Sequence, residues 1–288
     1  MFALMTIQTA IQYSIKQLKM IYKEGEAIAI TNLVMENLTG FRLTDGDYKK
    51  EKIFSPEQVA HFNTILERLL THEPVQYVLN EAWFYGFKFY VDRNVLIPRQ
   101  ETEELVEWII ADYKFPIDDL KILDIGTGSG CIPITLKRVL QKTEAWSCDI
   151  CEEALQVAKK NTVELDTDIN LLQLDFLDKQ QWQRLPRFDL IVSNPPYVPE
   201  KDKKEMKNNV LQYEPATALF VPDNNPLVFY IAIAEFGKTH LNKKGSIYLE
   251  IHESLGEAII KLFRENGYTT TLKKDMQGKD RMINAALS

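Results

Sequence analysis

The sequence predicts an α/β chain: a doubly wound parallel sheet with helices on both faces, preceded by a small helical bundle and a β-hairpin linker. Three observations carry this expectation. From about residue 100, short apolar strands alternate with amphipathic helices, the pattern of βαβ units. A glycine-rich turn, "LDIGTGSG", follows the first of these strands and opens a helix. The stretch before residue 74 shows helical spacing instead, with modest connections. With 288 residues the chain can hold two domains, each with its own core. The expected boundaries are 1–73 for the bundle, 74–98 for the hairpin linker and 99–288 for the α/β domain.

In chain order, Ile7, Ile11, Ile15 and Leu18 recur at helical spacing. The opening "MFALMTIQTAIQYSI" carries no charge before Lys16 and no small-residue cleavage site, so it reads as a helix start and not a signal peptide. "EAIAITNLVMENLTG" is a second helix with Gly40 as its C-terminal cap. Ser55, Pro56 and Gln58 form the start signal of a third, with a capping box, and Pro74 requires it to end before that point. "AWFYGFKFYVDRNVLI" is aromatic and β-rich around a Gly and reads as a hairpin. Strands follow at "KILDIG", "AWSCDI", "INLLQLD", "FDLIVSN" and "GSIYLEIH". Helices follow at "CIPITLKRVL", "CEEALQVAKKN", "NPLVFYIAIAEFGKTHL" and "SLGEAIIKLFREN". Lys201 to Lys207 is a mixed-charge run, by default a solvated loop or helix face.

Composition narrows the function classes. A net charge of −7 argues against non-specific nucleic-acid binding, which draws on excess Lys and Arg. No stretch approaches the roughly 18 apolar residues needed to span a bilayer. Three cysteines, Cys131, Cys148 and Cys151, with no secretory signal suit a reducing cytosol, so a cytoplasmic location is expected. Cys148 and Cys151 form a lone C-x-x-C, and the four histidines show no ligand spacing to it. A strand end running into a helix start is the expected reading, and no metal is expected.

The glycine loop departs from the dinucleotide fingerprint G-x-G-x-x-G. Its spacing is G-x-G-x-G, and Asp124 stands two residues before the first glycine. This D-x-G-x-G-x-G pattern resembles motif I of the class I S-adenosylmethionine methyltransferases, which have a Rossmann-like fold. The resemblance implies cofactor contacts from Asp124, Gly126, Thr127, Gly128, Ser129 and Gly130, with the methionine end of the ligand over the loop. Asp149, about 20 residues on at the end of the second strand, is placed to hold a ribose diol. Asp175 and Phe176, ending the third strand, are placed for an adenine edge and face; core packing is the competing reading for Phe176.

The fourth strand ends in "SNPPY", Asn194-Pro195-Pro196-Tyr197, at the carboxyl edge of the sheet where ligands bind in open α/β folds. A planar NH₂ group that accepts a methyl needs two acceptors to hold its hydrogens and aim its nitrogen. The Asn194 side-chain oxygen and the Pro195 carbonyl can be those acceptors. Pro196 holds Pro195 extended, and prolines bring no competing N–H. Tyr197 offers a face on which a planar amide or base can stack. Asn194, Pro195 and Tyr197 are the catalytic candidates, and all four residues are candidates for substrate binding.

This tetrad is shared by enzymes that methylate exocyclic amines of nucleic acids and by those that methylate glutamine side chains. Two further segments choose between them. "EPVQYVLNEAWFYGFKFYVDRNVLIPRQETEELVEW" (73–108) and "YEPATALF" (213–220) resemble signatures of the HemK/PrmC family, the release factor N5-glutamine methyltransferases. The chain departs from the family pattern at Gln100, usually Pro, and at Asn80, usually Gly. Asn tolerates a left-handed backbone, so Asn80 can preserve the turn. The resemblance implies S-adenosylmethionine as cofactor and S-adenosylhomocysteine as product. It implies the Gln of the Gly-Gly-Gln motif in class 1 peptide chain release factors as substrate, and the helical head as their docking surface. No direct nucleic-acid contact, no membrane and a monomer are expected. Arg99, Glu101, Thr102 and Glu103 read equally as linker capping or substrate contacts. The alternative is an N6-adenine or other exocyclic-amine methyltransferase acting on DNA or RNA, which would want a basic groove. A non-catalytic cofactor-binding module conflicts with the intact tetrad, and a nicotinamide dehydrogenase with the glycine spacing.

Overall fold

The computed structural model describes residues 5–41, 50–113, 119–140, 142–206 and 208–287. Met1 to Leu4 of the expected first helix and Lys207 of the mixed-charge run lie outside the described residues. The chain divides into two compact units, Met1–Glu81 and Ala82–Ser288.

The first unit is helical. Helix α1 (Ile7–Leu18) begins where the Thr6 hydroxyl accepts from the Thr9 amide at 3.1 Å. Helix α2 (Glu24–Thr39) ends at Gly40, whose φ of 72° is the left-handed cap expected of it. Helix α3 (Pro56–Leu70) has the full capping box: Ser55 Oγ accepts from Gln58 N and Gln58 Oε1 accepts from Ser55 N. Short helix α4 (Val75–Leu79) closes on Asn80 at φ 54°, so Asn does carry the left-handed turn. Arg68 of α3 binds Glu73 through two bonds of 2.9 and 2.8 Å and donates to the carbonyls of Tyr77 and Val78. This grip fastens α4 to α3, which is why the helical unit runs to residue 81 and does not end at 73. Leu18, Val34, Met35, Phe62 and Leu69 are buried in its core. Ser14 and Thr31 pair their hydroxyls at 2.9 Å between α1 and α2, so neither buried oxygen is left unsatisfied.

The second unit opens with the hairpin, β1 (Ala82–Phe84) and β2 (Phe87–Phe89). Tyr85 and Gly86 turn it with both φ values positive, 49° and 79°, as a two-residue hairpin turn requires. Phe84 and Phe89 are fully buried in the same core as Leu105, Val106 and Ile109 of α5 (Gln100–Asp112). The hairpin is therefore a packed part of this unit and not a free linker. Gln100 is the first residue of α5, so its loss of proline stiffness is taken up by helix.

The alternating part runs β3 (Leu120–Ile125), α6 (Cys131–Val139), β4 (Thr143–Asp149), α7 (Glu152–Glu164), β5 (Asn170–Gln173) and β6 (Phe188–Ser193). An excursion follows, with β7 (Val198–Pro199), a 3₁₀ turn at Glu200–Glu205, α8 (Asn208–Tyr213) and β8 (Phe220–Val221). The two-residue strands β7 and β8 pair in parallel and close it. Then come α9 (Val228–His240), β9 (Leu241–Glu250), α10 (Gly256–Glu265), β10 (Tyr268–Lys274) and β11 (Asp280–Leu287).

The seven-stranded sheet has the order β10-β11-β9-β6-β3-β4-β5. Helices cover both faces, as period-two burial shows: Leu123 and Ile191 point into one core, Ile122 and Leu190 into the other. The parallel expectation holds from β5 to β9 and needs correction at β11, which is antiparallel to both β9 and β10. Residues 275–279 between β10 and β11 are too few for a parallel crossover. Asp275 shapes that turn by accepting from the amides of Gln277 and Lys279. The chain winds outward from β3 toward β5 on one side and from β6 toward β9 on the other. The crevice at the carboxyl ends of β3 and β6 is thus a topological switch point.

Candidate active site

A cleft of about 250 Å³ opens at this switch point. Its walls come from the turn after β3, the ends of β4 and β5, the Asn-Pro-Pro run after β6, and the segment leading into α5.

The glycine turn is built from backbone. Gly126 N and Thr127 N both donate to the Cys148 carbonyl, at 2.9 and 3.1 Å. Gly126 and Gly128 have φ of 80° and 51°, with open space where a Cβ would stand, so the loop shows bare backbone to the cleft. Gly130 differs. A Cβ there would lie 3.1 Å from Ile134 and 3.4 Å from Ala158, so this glycine serves the packing of α6 against α7 and is not a cleft wall. Asn161 of α7, fully buried, donates to the carbonyls of Ser129 (2.8 Å) and Tyr90 (2.9 Å) and accepts from Tyr90 N (2.7 Å). One side chain thereby fixes both the glycine turn and the strand exit of the hairpin.

Asp149 ends β4 at the cleft. Its Oδ2 accepts from Gly128 N and its Oδ1 from Cys151 N, both at 3.0 Å, so each oxygen retains acceptor capacity for a ligand. Burial pushes its pKa up, and the backbone N–H groups of Cys151, Gly128 and Ile150 pull it back. Asp124 lies beneath the loop, fully buried and off the wall. Ser147 donates to its Oδ2 at 2.9 Å, and the buried Thr127 hydroxyl also stabilises the carboxylate. Burial pushes the Asp124 carboxyl up to about 7. Asp175 and Phe176 line the cleft. The Phe176 ring also packs on Trp182 and Phe236, with centroids 5.6 and 5.2 Å away, so core packing accounts for most of its burial. Cys148 lies in β4 and Cys151 caps α7, which is the strand-to-helix junction expected of that pair.

Opposite stand Asn194, Pro195 and Pro196. Asn194 Nδ2 donates to Thr102 Oγ1 at 3.0 Å. Thr102 Oγ1 donates to Glu250 Oε2 at 2.6 Å, and Tyr197 donates to Glu250 Oε1 at 3.1 Å. Glu250 is fully buried at the end of β9; burial pushes its pKa up, against the hydrogen bonds from Thr102 and Tyr197 and the charge of Arg281. Tyr197 is set apart from the cleft wall, its hydroxyl engaged by Glu250 and its ring edge-on to His252. In this arrangement its hydroxyl holds Glu250, and the tetrad's part of the cleft wall is Asn194, Pro195 and Pro196. The sequence leaves Thr102 open between linker capping and substrate contact and does not by itself single out Glu250. The signal for Glu250 is the one that marked Asp149: an acid closing an apolar strand at the carboxyl edge. Arg99, also on the wall, pairs with buried Glu214 at 2.6 Å, and Glu214 accepts from Ile97 N at 3.3 Å. The "YEPATALF" segment is thus clamped to "IPRQ". Glu103 accepts from Tyr85 N, a structural contact within the unit.

Two family models match the chain: the PrmC N-terminal domain over residues 9–79 and the methyltransferase small domain over residues 103–218. A release factor glutamine methyltransferase of Flavobacterium psychrophilum is 40% identical over 272 residues, covering 93% of this chain and 95% of that protein. The chain belongs to the release factor glutamine methyltransferase family. A second member, from Bacteroides thetaiotaomicron, is 41% identical over 276 residues, covering 95% and 97% of the two chains. Membership accounts for both units together, since the matches run through the helical head and the α/β unit alike. The fold is shared more widely: the catalytic domain of hMettl16, solved with an RNA hairpin, superposes with a TM-score of 0.54 at 14% identity, covering 84% of this chain and 86% of that one. Among the described residues no helix is long and apolar enough to cross a membrane.

Proposed function

We propose that this protein transfers the methyl group of S-adenosylmethionine to the side-chain amide nitrogen of the Gln in the Gly-Gly-Gln motif of class 1 peptide chain release factors. Likeness to release factor glutamine methyltransferases over 93% and 95% of the chain carries this reading.

The cleft residues fit the cofactor. Asp149, at the edge of the cleft with acceptor capacity on both oxygens, suits a ribose diol. The bare backbone of Gly126–Gly128 suits close approach of the methionine end, with Thr127 on the wall beside it. Ser129, Asp175 and Phe176 complete the wall, the last two toward the adenine. When bound, the cofactor supplies an electrophilic methyl group on a sulfonium and leaves as S-adenosylhomocysteine.

The chain's own part is aim. Asn194 Oδ1 and the Pro195 carbonyl accept the two amide hydrogens of the substrate, which directs the nitrogen lone pair at the methyl carbon. Holding the acceptor in line supplies much of the rate, since no strong base is needed before the nitrogen becomes cationic and sheds its proton. Thr102, Glu250 and Tyr197 keep Asn194 in place. The helical unit is assigned to release-factor docking, and the protein to the cytoplasm as a monomer.

The test uses methyl-labelled S-adenosylmethionine with a purified release factor, with the same factor carrying Ala for the Gly-Gly-Gln glutamine, and with bulk DNA and RNA. Label in the first alone is the expected result. Label in nucleic acid would keep the chemistry of the tetrad and overturn the substrate.

A further inference from the structure

We propose that Thr102 and Glu250 are positioning residues that decide which end of the Asn194 side-chain amide faces the methyl acceptor. This rests on the reading that Asn194 accepts a hydrogen from the substrate amide.

An asparagine amide has two ends of nearly equal size, one acceptor and one donor. Left alone at a cleft wall it can present either. Only the oxygen can hold a substrate N–H; the reversed amide would oppose donor to donor.

The hydrogen bonds behind Asn194 remove the choice. Thr102 has one hydroxyl proton, and Glu250 Oε2 takes it at 2.6 Å. Glu250 spends its other oxygen on the Tyr197 hydroxyl at 3.1 Å. Its backbone carbonyl accepts from the Tyr230 hydroxyl at 3.1 Å, which ties the end of β9 to α9. Arg281, held by Asp275 at 3.1 Å, adds a positive charge in the vicinity. The Thr102 oxygen is therefore left as an acceptor, and the group facing it at 3.0 Å must be the Asn194 NH₂. Thr102 is 3% exposed and Glu250 1%, so water has no access to reverse the chain. The order runs one way, from amide N–H to hydroxyl to carboxylate, and Asn194 Oδ1 is what remains for the cleft. The three groups come from α5, the end of β6 and the end of β9, and the sheet brings them together.

Thr102→Val keeps the shape and removes the hydroxyl. Single-turnover transfer to the release factor should fall about 10- to 100-fold, the effect of one lost buried hydrogen bond with its partner stranded. Cofactor affinity by calorimetry and the KM for the release factor should each move less than about threefold. Thr102→Ser restores the hydroxyl and should recover most of the loss. The deciding measurement is a double-mutant cycle. In an Asn194→Ala background, Thr102→Val should cost less than about twofold, because it acts only through Asn194. A cost that persists undiminished in that background would mean a merely structural role and overturn the proposal. So would a Thr102→Val enzyme within about threefold of wild type. If valine prevents folding, shown by loss of cofactor binding, Thr102→Ala is read through the same cycle. A wild-type protein that leaves the release factor unlabelled would overturn the substrate reading and this proposal together; a labelled release factor with an undisturbed variant overturns the positioning alone.

Discussion

The two walls of the cleft are made differently. The cofactor wall is local: a glycine turn, the strand end that anchors it and Asp149 all lie within residues 124–151, and most of the contacts are backbone to backbone or backbone to carboxylate. The acceptor wall is assembled at a distance. Asn194 depends on Thr102, 92 residues away, and Thr102 on Glu250, 148 residues away. Local construction tolerates change in the side chains around it, because backbone donors do not mutate. Remote construction concentrates the function in a few side chains, each of which can be removed by one substitution.

That contrast orders the expected effects. The largest belongs to the acceptor wall: Asn194→Ala should lower single-turnover transfer by about 100-fold or more through loss of aim, with cofactor affinity unchanged by calorimetry. Turnover near wild type would remove Asn194 from the mechanism. Next is Asp149, the carboxylate placed for the cofactor's ribose. Asp149→Ala should weaken S-adenosylmethionine binding about 30-fold, since charge-assisted hydrogen bonds are the strong ones, and unchanged affinity in a titration would refute the ribose assignment. Gly128→Ala should do less. No atom stands within 4 Å of the added methyl, yet a φ of 51° costs an L-residue about 1–2 kcal/mol, so a roughly tenfold loss of cofactor affinity is expected. An alanine variant with wild-type affinity would show that the turn relaxes freely.

The smallest effect is on stability and pH. Burial raises the Asp124 carboxyl to about 7. A carboxyl raised in the folded state contributes stability that is fully present below its unfolded value, about 4, and is lost as pH rises through the folded value. In the cofactor-free protein, the midpoint of unfolding for wild type minus that for Asp124→Asn should therefore grow as pH falls from about 8 to about 5, by a few degrees at roughly 2–4 °C per kcal/mol. A constant difference across that range would place the ionisation elsewhere.

The same contrast explains what could be read in the sequence. Capping at Ser55 and Gly40, the left-handed turn at Asn80, the hairpin and the parallel strands are set by residues close along the chain, and all were legible. So were the glycine turn and Asp149. The last two strands were missed because "YTTTLKK" buries only one face in part and "DRMINAAL" has no helix before it to announce a βαβ unit. Glu250 and Asn161, and the partners of Thr102, were not legible for a different reason. Each acts on a partner that only the sheet brings near, and a single Thr, Glu or Asn has no spacing to betray it. Tyr197 shows the converse. Its place in the tetrad suggested contact with the substrate, and the fold turns its hydroxyl inward to Glu250.

The clasp of β7 on β8 has a consequence for change over time. Val198 pairs with Phe220 and Pro199 with Val221, so the excursion after the tetrad leaves and returns at one fixed point. What lies between is a cassette. Lengthening a closed loop costs little, only about 0.6 kcal/mol per doubling. Glu214, held by Arg99 and by the Ile97 amide, ties the segment back to the approach to α5. The segment between Pro199 and Phe220 also brings Thr217 and Ala218 to the cleft, so the length of the excursion and the shape of the acceptor side are set by one closed loop.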